Sequence, residues 1–282
     1  MNRKTQSKKS KGTKSHAGTN KPMHNQDAKH EAMLASAMTF AEMLQAQPAI
    51  RRQLKLPPWL AFKLPYARKD QASLTENERQ RFLCAFNVIN SNGTLGALVD
   101  IHGDPVHQPH STQRFLPWHR IYLLRMEELL MMADPTVCIP YWKSSEEQAF
   151  PAWLLGFTPT VNLAGGPHTV TRNIGAFAVL PDAAAVAAVM ANGTFNAFTP
   201  ALQGVHNSGH VWVGGSMGSV PTAPADPVFW MHHAESDRIW AAWQATHPGQ
   251  NPTLAGAAAT MDPWTETEPD TRDITVLGYA YA

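Results

Sequence analysis

Residues Asp226–Trp240 read DPVFWMHHAESDRIW and predict the central helix of the fold. An aspartate that can cap a first helical turn, followed directly by a proline, is typical of a helix start. Phe229, His233 and Trp240 then fall at i, i+4 and i+11, so the helix presents them on one face. That face is apolar apart from one imidazole. Taken alone, such a histidine is more often a satisfied core residue than a metal ligand.

Five further histidines favour the metal-ligand interpretation. His206 and His210 lie four residues apart, so one turn of helix brings both rings to the same ion. His233 on a neighbouring helix would supply the third ring. A second set of three leads into another predicted helix: His102, His110 and His119. Two sets of three imidazoles predict two metal ions, each with an open coordination position, which is the catalytic rather than the structural pattern.

The ligand type narrows the choice of metal. Imidazole suits copper, zinc, iron and nickel. The predicted ligands include no carboxylate, which argues against non-haem iron and hydrolytic two-metal sites, and no thiolate, which argues against a blue-copper site. Sites made only of histidine tolerate both Cu(I) and Cu(II), and two adjacent cuprous ions can give dioxygen two electrons. Two copper ions as cofactors, with dioxygen as co-substrate, are therefore one chemistry that these histidines allow, and zinc stays possible at this point.

Composition and charge exclude several other classes of protein. The chain has 282 residues, 44% hydrophobic and 9% aromatic, which predicts a globular body with a sizeable core. Seven of the 23 basic residues lie in the first 26 positions, and the remaining 16 against 22 acidic residues leave a net charge of −6. Such a body is not a nucleic-acid-binding protein. Neither a membrane span nor a secretory signal is visible, so we expect a cytoplasmic protein.

Capping and periodicity predict the elements that carry these histidines. Thr75 with Glu78 forms a capping box that opens one helix. A short helix, Leu95–Ile101, places His102 on its last turn before Gly103. The other predicted segments are a loop over 104–113, a helix from Pro117, long loops over 139–204, a helix around His206–His210 and a strand within Ile274–Tyr281. The two cysteines, Cys84 and Cys138, are expected to be buried small apolar residues.

Two long motifs resemble the copper motifs of the tyrosinase and polyphenol oxidase family. FLPWHR at 115–120, with His110 nine residues before His119, resembles the first motif. HNSGHVWVGG at 206–215, followed by DPVFWMHHAESD at 226–237, resembles the second. The resemblance covers roughly Tyr66 to Tyr281. Spaced matches of this length are far more specific than an isolated pair of histidines.

The resemblance implies a mainly α fold with long loops and little β structure. In it, an antiparallel four-helix bundle holds a type 3 dicopper centre. The implied ligands are His102, His110 and His119 for one copper ion, and His206, His210 and His233 for the other. The resemblance also implies that Tyr279 and Tyr281 close the catalytic domain near Arg68.

Three regions are expected along the chain. Residues 1–28 are polar and predict a disordered basic tail. Residues 29–65 combine an amphipathic helical pattern with a proline-rich link, and predict an extension that packs on or over the body, where it could shield the metal site. Residues 66–282 form the tyrosinase-like catalytic domain, without the C-terminal lid domain of some relatives.

Some assignments stay open at this stage. His107 competes with His102, which we prefer because a helix presents it. In the His232–His233 pair the motif favours His233, which leaves His232 in a supporting position. Asp237, one turn later, is equally suited to orienting a ligand and to a salt bridge with a nearby arginine.

Two positions bear on which phenols would react. In relatives that hydroxylate monophenols, a glutamate helps an asparagine hold a water that deprotonates the phenol. Asn207 is present here, but Gln203 stands nearest the glutamate position, and an amide cannot take up a proton. Gln108 stands where other relatives carry a cysteine joined to a ligand histidine by a thioether, so no such bond is expected.

We therefore expect a dicopper phenol oxidase that converts o-diphenols to o-quinones, with monophenol hydroxylation as a secondary activity. A haemocyanin-like reversible oxygen carrier and a di-zinc hydrolase are the alternatives. The expected partner is a small phenolic substrate, and a copper chaperone is a further candidate. Neither nucleic acid nor membrane is an expected partner.

Overall fold

The computed structural model describes residues 66–107 and 109–282, and within these ranges the chain is mainly helical with little strand. The helices are α1 (Glu76–Ser91), α2 (Thr94–Gly103), α3 (Phe115–Ala133), α4 (Ser144–Glu147), α5 (Ala183–Met190), α6 (Phe195–Val213) and α7 (Pro227–Thr246). The strands are β1 (Tyr66–Arg68), β2 (Thr160–Leu163), β3 (Gly166–Thr169) and β4 (Tyr279–Tyr281). The predictions for residues 1–28, for residues 29–65 and for Gln108 concern positions outside the described residues.

Local side-chain chemistry starts the helices where the sequence predicts. Thr75 and Glu78 form the expected capping box of α1, with the Thr75 backbone N–H donating to Glu78 Oε2 at 2.8 Å. The Asp226 carboxylate accepts from the Val228 N–H at 3.0 Å, and Pro227 occupies the first position of α7. Each cap satisfies backbone donors that a helix start leaves without partners.

The region over 139–204 is more regular than predicted. Helix α6 begins at Phe195, eleven residues before His206, where the Thr194 hydroxyl caps the first turn. Pro200 lies inside this helix and hides it from a pattern search. The β2–β3 hairpin was also missed, because only Val161 on β2 is buried and the alternation is therefore weak. At the C-terminal end, the strand is confined to Tyr279–Tyr281.

Four helices pack around the histidines. Helix α3 contacts α2, α6 and α7, and α6 also contacts α7. Their shared interior includes Trp118 on α3 and both Trp230 and Trp240 on α7, all with no exposed surface. Burial of such large apolar side chains provides most of the driving force for packing. Five of the six metal-binding candidates therefore lie on helices that pack against one another.

Helix α1 packs on the outer side of α3. It turns Phe82, Ala85 and Phe86 inward, and this orientation leaves Cys84 on the exposed face. The expectation that both cysteines are buried is therefore wrong for Cys84. Cys138 is half-buried, and its thiol contacts the Ala67 carbonyl at 3.5 Å.

Strands β1 and β4 join the two ends of the described body in a parallel pair. Arg68 lies opposite Tyr281 in the register, and its guanidinium donates to the Tyr281 hydroxyl at 2.8 Å. The guanidinium carbon also lies 3.9 Å from the centre of the Tyr279 ring. The predicted position of Tyr279 and Tyr281 beside Arg68 is confirmed.

In the described part of the chain, no individual helix has the length and apolar character needed to cross a membrane, although α1 and α2 together, bent by 82°, meet the criterion by length and composition.

Candidate metal centre

The first set of histidines comes from three different segments. His102 ends α2, His110 lies on the loop that follows, and His119 lies in the second turn of α3. One ring nitrogen of each lies within 4.8 Å of the others. His102 Nδ1 donates to the Val220 carbonyl at 2.8 Å, and His119 Nδ1 donates to the Phe115 carbonyl at 2.7 Å.

These hydrogen bonds fix the tautomer of both rings. Because Nδ1 carries the proton, Nε2 of His102 and of His119 offers a lone pair. Both Nε2 atoms are buried and have no hydrogen-bond partner among the described residues. A buried polar atom without a partner costs free energy unless something binds it. The arrangement fits a metal ion, since metal-bound histidines commonly donate their other ring nitrogen to a carbonyl.

The second set is built on α6. His206 and His210 lie one turn apart, with their Nε2 atoms 3.0 Å from each other. His210 Nδ1 donates to the Met217 carbonyl at 2.8 Å, while His206 Nδ1 faces Asn207 Oδ1 at 3.1 Å. Two of the carbonyls that orient rings, Val220 for the first set and Met217 for the second, lie in the segment between α6 and α7.

Two adjacent residues of α7 are candidates for the third position. A nitrogen of His232 lies within 4.8 Å of nitrogens of His206 and His210. However, His232 Nε2 donates to the His206 backbone carbonyl at 2.9 Å, and its ring stacks on the His206 ring with 4.8 Å between centres. His233 Nε2 instead lies 2.9 Å from His206 Nε2. We favour His233, because its Nε2 converges on the same point as the other ring nitrogens.

His233 also joins the two sets. Its ring stacks on that of His119, with 4.3 Å between centres and 13° between planes. The ring of Phe115 lies 5.0 Å from His119 and 5.0 Å from His206. The six predicted histidines therefore surround one small volume.

Burial keeps these rings neutral. It lowers the pKa of His102, His119, His206 and His233 well below the usual value, and lowers that of His210 to about 3. Neighbouring imidazoles lower these pKa values further. His110, on its loop, shows a smaller shift in the same direction. A neutral imidazole is the form that binds a metal, so no proton has to be displaced at neutral pH.

Aromatic rings enclose the two sets. Phe229 lies 4.2 Å from the His233 ring and 5.0 Å from the His102 ring, measured between centres. Trp118 lies 5.0 Å from the His119 ring and 6.1 Å from the His102 ring. These contacts prevent the rings from rotating and keep water away from their inner side.

His107 lies away from both sets. Its Nδ1 contacts Asp262 Oδ2 at 2.5 Å, and Asp262 Oδ1 accepts from Arg114 at 2.5 Å. Together these three side chains clamp the loop that carries His110 to the segment near Asp262. The choice between His102 and His107 is therefore in favour of His102 on geometric grounds. Sequence reasoning missed this clamp, because its partners are separated by 155 positions in the chain.

Asp237 does not contact a predicted ligand among the described residues. Its carboxylate accepts from Arg120 at 2.5 Å, from Arg68 at 3.0 Å and from Tyr279 at 2.6 Å. Of the two roles considered for this residue, the salt bridge is the one observed.

A cavity of about 640 Å³ lies between α6 and the loop after His110, and its wall includes Ser111 and Asn207, which directly follow His110 and His206 in the chain. Asn207 and Gln203, one turn apart on α6, lie in its wall and thus share a face. Ser111 begins the opposite wall, with a left-handed backbone (φ 56°) that turns the chain away after His110. Asn207 connects the cavity to the second set through its contact with His206.

Known proteins with similar sequences show which family has this arrangement of histidines. The family model "Common central domain of tyrosinase" matches residues 85–174 and 162–246. The tyrosinase of Streptomyces antibioticus is 34% identical over 257 residues, covering 72% of this chain and 94% of the relative. The tyrosinase of Streptomyces glaucescens is equally similar, with 34% identity, 72% of this chain and 93% of the relative covered.

Solved structures show the same fold. A functional unit of octopus hemocyanin superimposes with a TM-score of 0.66 at 22% identity, over 77% of this chain and 68% of that one. Burkholderia thailandensis tyrosinase gives a TM-score of 0.62 at 16% identity, over 78% of this chain and 74% of that one. With the sequence matches, these likenesses establish that the chain belongs to the tyrosinase family.

Proposed function

We propose that this chain is a dicopper phenol oxidase that uses dioxygen to oxidise o-diphenols to o-quinones. The observation that supports this most directly is the convergence of six imidazoles, four of them buried, of which His102 and His119 have Nε2 atoms with no hydrogen-bond partner among the described residues. The family membership supports a binuclear copper site at this position.

His102, His110 and His119 would hold one copper ion, and His206, His210 and His233 the other. When bound, the copper pair would pass two electrons from each of two diphenols to one dioxygen, so that two quinones and two waters result. The helices contribute rigidity, because five of these six rings are carried by α2, α3, α6 and α7. Phe229 excludes water from the inner side of the His102 and His233 rings.

The side chains in the wall of the cavity determine how a phenol is oriented and whether it can lose its proton there. Asn207 Oδ1 lies 3.1 Å from His206 Nδ1 and accepts a hydrogen bond from its N–H, so it holds this ring in the metal-binding tautomer. Gln203, four residues earlier, can orient a hydroxyl or a water by hydrogen bonding. It cannot remove a proton from a phenol, because a neutral amide is not a base. We therefore propose that o-diphenols react faster than monophenols.

Oxygen uptake after copper loading tests the proposal. We expect rapid uptake with catechol and slow uptake, after a lag, with tyrosine. Absence of uptake with both, in protein shown to contain two copper ions, would reject the oxidase function. Equal rates without a lag would reject the role proposed for Gln203.

The alternative of a reversible oxygen carrier rests on the likeness to octopus hemocyanin. It requires oxygen binding without turnover of catechol, and the same assay distinguishes the two. Metal analysis of the purified protein, if it found zinc, would favour the di-zinc hydrolase. A copper chaperone as partner and a cytoplasmic location remain predictions from the sequence.

A further inference from the structure

The cavity beside the histidines carries information about the substrate. Its wall consists of side chains that are all uncharged: Ser111, Thr112, Gln113, Asn196, Thr199, Pro200, Gln203, Gly204 and Asn207. Within the described residues, no lysine, arginine, aspartate or glutamate belongs to this wall. A ligand that enters it meets hydroxyl and amide groups on both sides.

The basic residue nearest to this wall in sequence is unable to help bind an anion. Arg114 directly follows Gln113, but its guanidinium is turned away and donates to the carbonyls of Ala258 and Thr260 at 2.8 and 2.7 Å. It also forms an ion pair with Asp262. Both terminal nitrogens of its guanidinium are thus already engaged, and its Nε is buried.

The amides in the wall remain available. The side chains of Asn196 and Gln203 form no hydrogen bond with other described residues, whereas Gln113 accepts from the Thr253 N–H at 2.5 Å. An amide has both donors and acceptors, so it pairs well with a neutral polar group. It cannot compensate the desolvation of a full charge as an opposite charge does.

We infer that this cavity selects o-diphenols whose ring substituent is neutral and hydrogen-bonding, such as an amide, over those whose substituent is charged. The inference rests on the proposed function and on entry of the diphenol through this cavity, whose wall includes Ser111 and Asn207, the residues that follow His110 and His206. It makes Asn196 and Gln203 the residues that determine specificity at the substituent.

Four diphenols test this directly: unsubstituted catechol, and catechols carrying an ethylammonium, an N-acetylaminoethyl or a propionate group. We expect kcat/KM for the N-acetyl compound to exceed that for both charged compounds by about ten-fold, which is the effect of one uncompensated charge in a partly solvated site. Dissociation constants of the matching 1,3-diols, which cannot form o-quinones, should follow the same order by calorimetry.

A second test introduces a negative charge into the cavity wall. Asn196→Asp should raise kcat/KM for the ethylammonium compound about five-fold relative to catechol and lower that for the propionate compound relative to catechol. Asn87→Asp is the matched control, because Asn87 is exposed on α1 and lies outside the cavity wall. It adds the same charge and should alter none of the four rates.

Different results of these assays would contradict the specificity inference and the proposed oxidase function. Equal kcat/KM for neutral and charged compounds, with catechol oxidised normally, would overturn the inference and leave the oxidase intact. The inference would also be overturned if Asn196→Asp and Asn87→Asp changed kcat/KM for the charged compounds by equal factors. Failure to oxidise catechol would instead contradict the proposed function. The wild-type substrate series keeps the inference testable if Asn196→Asp does not fold.

Discussion

Gly209 allows α6 and α7 to approach each other beside the second set of histidines. A Cβ atom at this position would lie 2.4 Å from Cε1 of His232. The His232 ring cannot easily move away, because it stacks on His206 and donates to the His206 carbonyl. The absence of a side chain at Gly209 is therefore a requirement of the metal centre rather than of helix α6.

Gly209→Ala should lower the free energy of unfolding by about 1–3 kcal/mol, the usual cost of overpacking. Urea denaturation of the metal-free protein measures this effect. Gly204→Ala is the control: it lies on the same helix, and no atom comes within 4 Å of its added Cβ. It should be stabilising by up to about 1 kcal/mol through helix propensity. Equal effects at both positions would contradict the close approach.

The adjacent residues His232 and His233 permit a test of ligand identity with one type of substitution. His233→Gln should remove a ring nitrogen from the convergence point and leave the protein with one copper ion instead of two. His232→Gln should keep both ions, because its ring supports His206 from behind. Elemental analysis after copper loading and dialysis gives the result. The reverse pattern would make His232 the ligand.

At the scale of elements, His110 differs from the other predicted ligands because a loop presents it. The clamp formed by His107, Arg114 and Asp262 restrains that loop. Trp118 also takes part, since its indole N–H donates to the Asp262 carbonyl at 2.7 Å. The segment near Asp262 thus fixes the position of His110, as the helices fix the positions of the other predicted ligands.

Asp262→Asn should weaken binding of one of the two copper ions by about ten-fold, within the range seen when residues that orient metal ligands are changed. The other ion should bind as before, because among the described residues the second set has no hydrogen bond or ring contact with His107, Arg114 or Asp262. Titration of metal-free protein with copper measures both affinities. An equal loss at both sites would indicate general unfolding instead.

The sequence was sufficient for the elements whose signals are local. The capping box of α1 and the Asp-Pro start of α7 depend on residues only a few positions apart. Helix α6 was only partly predicted, because Pro200 interrupts its pattern. The carbonyls of Met217 and Val220 leave no trace in the sequence, since any residue can provide them. The contact between Asp262 and His107 could not be predicted from the sequence, because only tertiary folding brings the two residues together.

At the scale of the whole molecule, Asp237 ties four elements together. Arg68 on β1, Arg120 on α3 and Tyr279 on β4 all donate to its carboxylate on α7. Burial alone would raise the pKa of Asp237, but the arginines and tyrosines lower it overall. Its charge therefore stabilises the native state at pH values above about 3.9, and this stabilisation is lost as the pH falls further.

Asp237→Asn should lower the free energy of unfolding at pH 7 by about 3–5 kcal/mol, because two buried guanidinium groups lose their shared partner. Arg68 keeps its second partner, Glu127, which accepts from it at 2.7 Å, so the network should be weakened rather than abolished. Chemical denaturation provides the value. A loss below about 1 kcal/mol, typical of an exposed ion pair, would refute this account.

The buried histidines make the stability of the metal-free protein depend on pH in a second range. Their pKa values are lowered in the folded state, to about 3 for His210, from an ordinary value of 6.5. Between these values the unfolded chain binds more protons, so the stability of the metal-free protein should fall as the pH decreases from 6.5. The slope is about 1.4 kcal/mol per pH unit for each ring. Melting temperatures from pH 8 to 4 test this, and a flat profile would contradict it.

Trp118 gives the molecule an optical property of its own. The indole lies 5.0 Å from His119 and 6.1 Å from His102, measured between ring centres. Copper(II) held by these two rings would quench its fluorescence at such short range. Trp243, stacked on Phe198 in a separate apolar cluster, would keep emitting. Metal uptake could thus be followed in real time by intrinsic emission, without an added dye.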